Sequence, residues 1–186
     1  MAVPSWNAAG ILPPIDLNDP VSRLRSPYLV SVLDFVAGLA TTDERRVIAD
    51  GLLRYRAGLH GLGFVDGFQW VNGSFCTDVE TLEGRPPGDI DVVTFLHAPV
   101  DMDRAAVVAH NPHFFVSPLA KEKFHCDAYV VDFGSNPESV ANLAAYWSSV
   151  WGHTRAGIWK GFLQIPLNPE FDERASNLLN GIEVAA

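Results

Sequence analysis

Positive charge is scarce in this chain of 186 residues: 13 Lys and Arg stand against 22 Asp and Glu, for a formal net charge of −9. No Lys/Arg-rich run occurs; only Arg45-Arg46, Arg54, Arg56, Arg155 and Lys160 stand out. Proteins that grip long nucleic acid draw their affinity largely from phosphates neutralised along a basic stripe. Extended duplex binding is therefore disfavoured, while a nucleotide, a short RNA end or a protein stays open as a partner. Cysteine is nearly absent. Cys76 and Cys126 each stand alone, so neither forms the close pair that a zinc site uses, and two free thiols fit a reducing cytoplasm. No apolar run approaches the roughly 18 residues of a membrane span. Met1 to Pro14 has neither a basic start nor a long apolar stretch, so no secretory leader is expected there.

What is present is an ordinary globular composition, 48% hydrophobic and 19% charged, enough for one core. Residues 1–27 are rich in Pro, Asn and Asp and read as an extended arm docked through Ile11, Leu12 and Ile15. A single domain over 28–186 comes next. Tyr28 to Ala40 carries apolar residues at helical spacing, with Leu29, Val32, Leu33 and Val36 on one face. Thr41-Thr42-Asp43-Glu44 matches a capping box with Thr41 as the cap. It opens a second helix to about Leu59, with Val47, Leu52, Tyr55 and Leu59 inward. Three short strands are expected at 68–71, 89–96 and 126–133, rich in β-branched and aromatic residues. Asp103 to His110 reads as a short helix. Ser135-Asn136-Pro137-Glu138 starts a helix that runs to about Trp151. Asn168-Pro169 opens the last helix, with Phe171, Leu178, Leu179 and Ile182, and Gly157 to Leu167 reads as a strand or hairpin. The fold class is α/β (α+β): a short mixed sheet flanked by helices at both ends.

The chemistry concentrates between Val71 and Phe95. Gly73-Ser74 comes after a strand; a Gly/Pro-rich turn, 84–88, then leads into Asp89-Ile90-Asp91. Strand side chains alternate faces, so Asp89 and Asp91 point one way and Ile90 and Val92 the other. The two acids lie about 6.6 Å apart along the strand, twice its rise. Flexible carboxylates at that spacing converge on one ion or bracket two that sit roughly 3.5–4 Å apart. Like charges side by side repel unless a cation lies between them, and Mg²⁺ suits carboxylates combined with phosphates. Glycine lets backbone amides approach an anion closely. A helix starting just after Ser74 would add its N-terminal amides.

This pattern of strand, Gly-Ser, spacer and Asp-x-Asp resembles the DNA polymerase beta-type nucleotidyltransferase superfamily. A third carboxylate on a later strand completes that pattern. Asp127 is its best match; Asp132 is the fallback, on the opposite face by alternation, so only one can serve. More narrowly, residues 67–75, 87–93, 151–155 and 159–161 resemble an uncharacterised bacterial and phage family of such proteins. Fourteen residues separate Ser74 from Asp89, slightly more than is common, which a hairpin insertion at 78–87 would explain. The resemblance implies in-line attack on the α-phosphorus of a nucleoside triphosphate such as ATP, with two Mg²⁺ ions (or Mn²⁺). Asp89, Asp91 and Asp127 are implied as metal ligands and catalytic residues, and Gly73 and Ser74 as the holders of the β/γ-phosphates.

Blander readings stand beside these. Asn72-Gly73 alone is a hairpin signal. Arg155 and Lys160 either bind triphosphate oxygens or are solvated surface charges. Arg54 and Arg56 read as surface or ion-paired helix residues, with a role at the acceptor as the alternative. His110, His113, His125 and His153 read as structural or surface residues, since Pro112 breaks helical metal-ligand geometry. Trp70, Trp147, Trp151 and Trp159 read as core. Three functions are compatible with the sequence. One is transfer of a nucleoside monophosphate to an acceptor hydroxyl on an RNA end, a protein or a small molecule. The second is a catalytically silent binding partner of a neighbouring gene product, in a toxin–antitoxin or antiviral defence pair. The third is a synthase of a cyclic or short oligonucleotide signal.

Overall fold

A computed structural model describes residues 1–181. In chain order the elements are β1 (Tyr28–Leu29), α1 (Val32–Leu39), α2 (Asp43–Gly61), β2 (Gly67–Asn72), α3 (Val79–Glu83), β3 (Ile90–Leu96), α4 (Arg104–His110), α5 (Ser117–Phe124), β4 (Cys126–Asp132), α6 (Pro137–Trp151), β5 (Leu163–Pro166) and α7 (Asp172–Leu179). Single 3-10 turns lie at Ser74–Cys76 and Pro112–Phe114. The strands form one mixed sheet in the order β1-β5-β2-β3-β4. β2 runs antiparallel to both β3 and β5, while β3 and β4 run parallel. The architecture is thus the expected mixed sheet with helices at both ends of the chain.

Alternation divides the sheet between two cores. Val71, Ile90, Val92, Cys126 and Ala128 join the larger one, with α1, α2 and α5. Trp70, Val93, Phe95 and Val131 face the other way and pack with Trp151 and Phe162, beneath Trp147 of α6. The arm docks as its apolar residues predict: Ile11, Leu12 and Ile15 are buried. Cys76 and Cys126 are buried free thiols. Among the described residues no helix is long and apolar enough to cross a membrane.

Several local expectations need correction. The helix read from Tyr28 begins only at Val32, because Ser31 caps it by accepting from the Asp34 amide. Tyr28 and Leu29 instead pair with Leu163 and Gln164 of β5. The buried face is Val32, Phe35, Val36 and Leu39, and Leu29 is exposed. The cap of α2 is Thr42, whose hydroxyl accepts from Arg45 N, rather than Thr41. Leu52, Tyr55 and Leu59 are inward as expected, but Val47 faces solvent, and Arg45 and Arg56 lie on the inward face, where both are fully buried. Glu80 pairs with Arg45 and Asp172 with Arg56, so the buried charges are matched. Arg54 is the exposed, ion-paired helix residue expected of it, bonded to Asp50. The 78–87 insertion contains the short helix α3, not a hairpin. Trp70 and Trp151 are core, whereas Trp159 is exposed. The last helix begins at Asp172, and Ile182 lies outside the described residues.

Candidate functional site

Three neighbouring strands place three polar residues in one row. Asn72 of β2 is the register partner of Asp91 on β3, and Asp91 is the partner of Asp127 on β4. Paired residues share a face, so the row lies on the face that carries Trp70, Val93 and Phe95, at the end where β2 finishes and β3 and β4 begin. Asp89 precedes β3 by one residue and is half-buried like Asp91 and Asp127, while Ile90 and Val92 between and beyond them are fully buried. Apolar residues on the alternate face therefore pull the strand into the core and leave its acids at the rim. Asp132 lies on the opposite face, accepting from Gly134 N and paired with Arg104.

The bend after β2 is shaped around Asp91. Gly73 has φ +84° and ψ −163°, a combination essentially confined to glycine. The Asp91 carboxylate occupies the space that a side chain at Gly73 would take. The bend leads not into the helix that a phosphate-binding dipole needs but into a single turn, Ser74–Cys76, with no side-chain cap. Buried Arg45 holds that turn from below. Its guanidinium donates to Phe75 O and Thr77 O, both at 2.7 Å, and to the Glu80 carboxylate. The bend is therefore a fixed feature and not a plain β-hairpin.

Helix α5 supplies two side chains that sequence reasoning missed. Ser117 donates to the Asp127 carboxylate, and Lys121, one turn later, pairs with Asp89. Positions i and i+4 share a helix face, so one face of α5 addresses two of the three acids. Pro118 in the first turn and Lys121 and Lys123 in the last are helix signals that could have revealed it. Two further residues belong here. Tyr129, two positions beyond Asp127 on the same face, packs against Trp147 with ring centroids 4.6 Å apart and the rings tilted by 46°. Asn72 donates through Nδ2 to Trp151 O at 3.2 Å, while its buried Oδ1 has no donor.

The row is electrostatically loaded. Burial, and then the charges of Asp89 and Asp127, push the Asp91 carboxyl from its ordinary 3.8 up to about 6. Lys160 and Lys121 oppose that rise. Asp89 raises the Lys121 ammonium by hydrogen bond and charge. Lys160 is lowered by burial, with Cys76 and Asp91 pulling against it. Of the two predicted phosphate cations, then, Lys160 lies within electrostatic reach of Asp91. Arg155 is exposed on the turn between His153 and Trp159, and among the described residues no hydrogen bond or ion pair joins it to the acids. His110, His125 and His153 are exposed.

Among the described residues, no group of three or more His, Cys, Asp and Glu side chains is set to hold a metal ion as it stands. Lys121 and Ser117 take up two of the carboxylates. The donor chemistry nevertheless fits Mg²⁺. Three carboxylates crowd one end of the sheet, one of them resists ionisation because it is buried and flanked by two other acids, and a buried amide oxygen beside it lacks a donor.

A family profile described as "Family of unknown function (DUF6932)" matches residues 4–166, and the chain belongs to that family. No curated protein matches it, and neither does any solved structure.

Proposed function

We propose that this member of a family of unknown function is a Mg²⁺-dependent nucleotidyltransferase of the DNA polymerase beta type. It would move a nucleoside monophosphate from a nucleoside triphosphate to an acceptor hydroxyl. The observation that carries the reading is the register of Asp91 with Asp127 on parallel strands, with Asp89 two residues before Asp91. Asp89, Asp91 and Asp127 would hold the metal, two ions in the usual form of this chemistry. Bound there, it would supply charge neutralisation at the triphosphate and polarise the reacting oxygens.

The chain's own groups do the rest. Gly73 and Ser74 form the bend that would seat the β/γ-phosphates. Lys160, half-buried near Asp91, offers them a cation. The acceptor oxygen attacks the α-phosphorus, the bond to the bridging oxygen breaks, and pyrophosphate leaves. Asp127 would take the hydroxyl proton once Ser117, which now donates to it, releases its carboxylate. The acidic surface favours a small or short acceptor over long duplex. A cytoplasmic setting is favoured by the two free thiols, and a place in toxin–antitoxin or antiviral defence pairs rests on the sequence resemblance alone.

A second reading has its own support. Because Lys121 and Ser117 engage Asp89 and Asp127, the same fold would serve a catalytically silent partner whose acids stay bonded within the chain. One experiment separates the two. The protein is heated with each NTP with and without Mg²⁺, then incubated with α-labelled NTP and cell extract. A transferase gains stability, about 2.7 kcal/mol at a hundred times Kd, and labels an acceptor only with Asp89 and Asp91 intact. A silent partner transfers nothing and co-purifies with another protein. Label confined to products of NTP alone identifies an oligonucleotide synthase.

A further inference from the structure

Lys121 sits where a cation belongs. Its ammonium pairs with Asp89 Oδ2, and the charges of Asp127 and Asp91 act on it as well. The side chain that delivers it comes from a helix anchored in the core: Ala120 and Phe124 of α5 are buried, and α2 packs directly on the Phe124 carbonyl at Gly51. An ammonium at this position relieves the mutual repulsion of the acids, as a bound ion does. A second divalent ion would have to displace an ion pair and shed water, and Mg²⁺ dehydrates reluctantly. A triphosphate drawn to the site would give the same ammonium a further anionic partner, which strengthens its hold on the place.

We infer that Lys121 takes the position of one of the two divalent ions, so that the site works with a single metal and a lysine ammonium. The inference rests on the nucleotidyltransferase reading and refines it: Lys121 becomes the residue that fixes the metal count. Lysine suits the role as a compact point charge on a flexible stem, and arginine at the same place would keep the charge.

Metal counting tests it without reference to turnover. Wild type, Lys121→Met and Lys121→Arg are dialysed to equilibrium against Mn²⁺ with a saturating α,β-methylene analogue of each NTP. Bound Mn²⁺ and bound analogue are both counted. The expected ratio is one Mn²⁺ per analogue in wild type and Lys121→Arg, and two in Lys121→Met. Lys121 is more than half exposed, so its replacement leaves the core intact. A ratio of two in wild type overturns the inference and leaves the transferase reading standing. A ratio of one in Lys121→Met overturns it in the same way. No bound analogue at all sinks the transferase reading, and the inference with it.

Discussion

A methyl group on Gly73 would lie 2.9 Å from Oδ2 of Asp91 and 3.0 Å from its Cγ. The glycine is thus the seat of the acid at the centre of the row. Two penalties meet in Gly73→Ala: a backbone region that only glycine occupies with ease, and a contact that the carboxylate must yield. The strain alone costs about 1–3 kcal/mol, and at roughly 2–4 °C per kcal/mol for a chain of this size the melting temperature should fall by several degrees. Calorimetry measures it. An unchanged melting temperature would show that the bend relaxes and that Asp91 is not seated there.

Asp91 makes the stability of the metal-free protein depend on pH in an unusual direction. Its folded pKa, about 6, lies above the ordinary 3.8. Between those values the folded chain holds a proton that the unfolded chain has released. Stability from this group is therefore full below pH 4 and lost as pH rises through 6. Asp91→Asn removes the buried charge. Its advantage over wild type should be near nil at pH 4, grow through pH 5 and 6, and level off above 7. Two pKa units set an upper bound of about 3 kcal/mol. Urea titrations of both proteins in chelator measure it. A difference that does not change between pH 4 and 8 would mean that burial and the neighbouring acids do not burden Asp91.

The acid row was legible because its information is local. Asp89, Asp91 and Asp127 alternate with Ile90, Val92, Cys126 and Ala128, and β-branched runs come next, so strand type and face could be read together. Asn136 likewise announced α6, where its Oδ1 accepts from the Glu138 amide. What failed was decided by distant parts of the chain. The apolar Tyr28 and Leu29 continue the spacing of α1, yet they pair with β5, some 135 residues away. Thr41 and Thr42 stand side by side, and only the folded chain shows Thr42 as the cap; the burial of Arg45 and Arg56 depends on distant partners, Glu80 and Asp172. Pro118, Lys121 and Lys123 mark α5 as a helix, but nothing local shows that its Ser117 and Lys121 reach Asp127 and Asp89, because that contact forms only when the chain folds back on β4.

Gly51 and Gly61 share a helix and should respond oppositely to the same change. A Cβ on Gly51 would meet the Phe124 carbonyl oxygen at 2.0 Å, and backbone cannot step aside as a side chain can. Gly51→Ala should cost at least the 1–3 kcal/mol typical of overpacking, and it should push α5, with Lys121, off the acids. Gly61, at the end of the same helix, has nothing within 4 Å of its added methyl. Gly61→Ala should therefore be neutral or stabilise by up to about 1 kcal/mol through a less free unfolded chain. Parallel melts of the two variants decide it: similar shifts would mean that α2 and α5 do not touch at Gly51.

Arg45 and Arg56 are both buried and both paired, so removing either guanidinium should be costly. Each loss leaves buried carbonyls without a donor and a carboxylate without its partner, about 3–5 kcal/mol for a broken buried pair. Their places in the fold separate them. Arg45 ties Phe75 O and Thr77 O, the carbonyls just beyond the Gly73-Ser74 bend. Arg56 ties Pro166 O, Asn168 O and Asp172 at the far end of the sheet. Arg45→Met should thus lose stability and also the stabilisation gained from NTP with Mg²⁺, while Arg56→Met should lose stability alone. Urea titrations at low temperature, with and without NTP, give both quantities for each variant. If Arg45→Met keeps the full nucleotide effect, the bend does not hold the phosphates. If Arg56→Met loses that effect as completely, the response reports general loosening and says nothing about the bend.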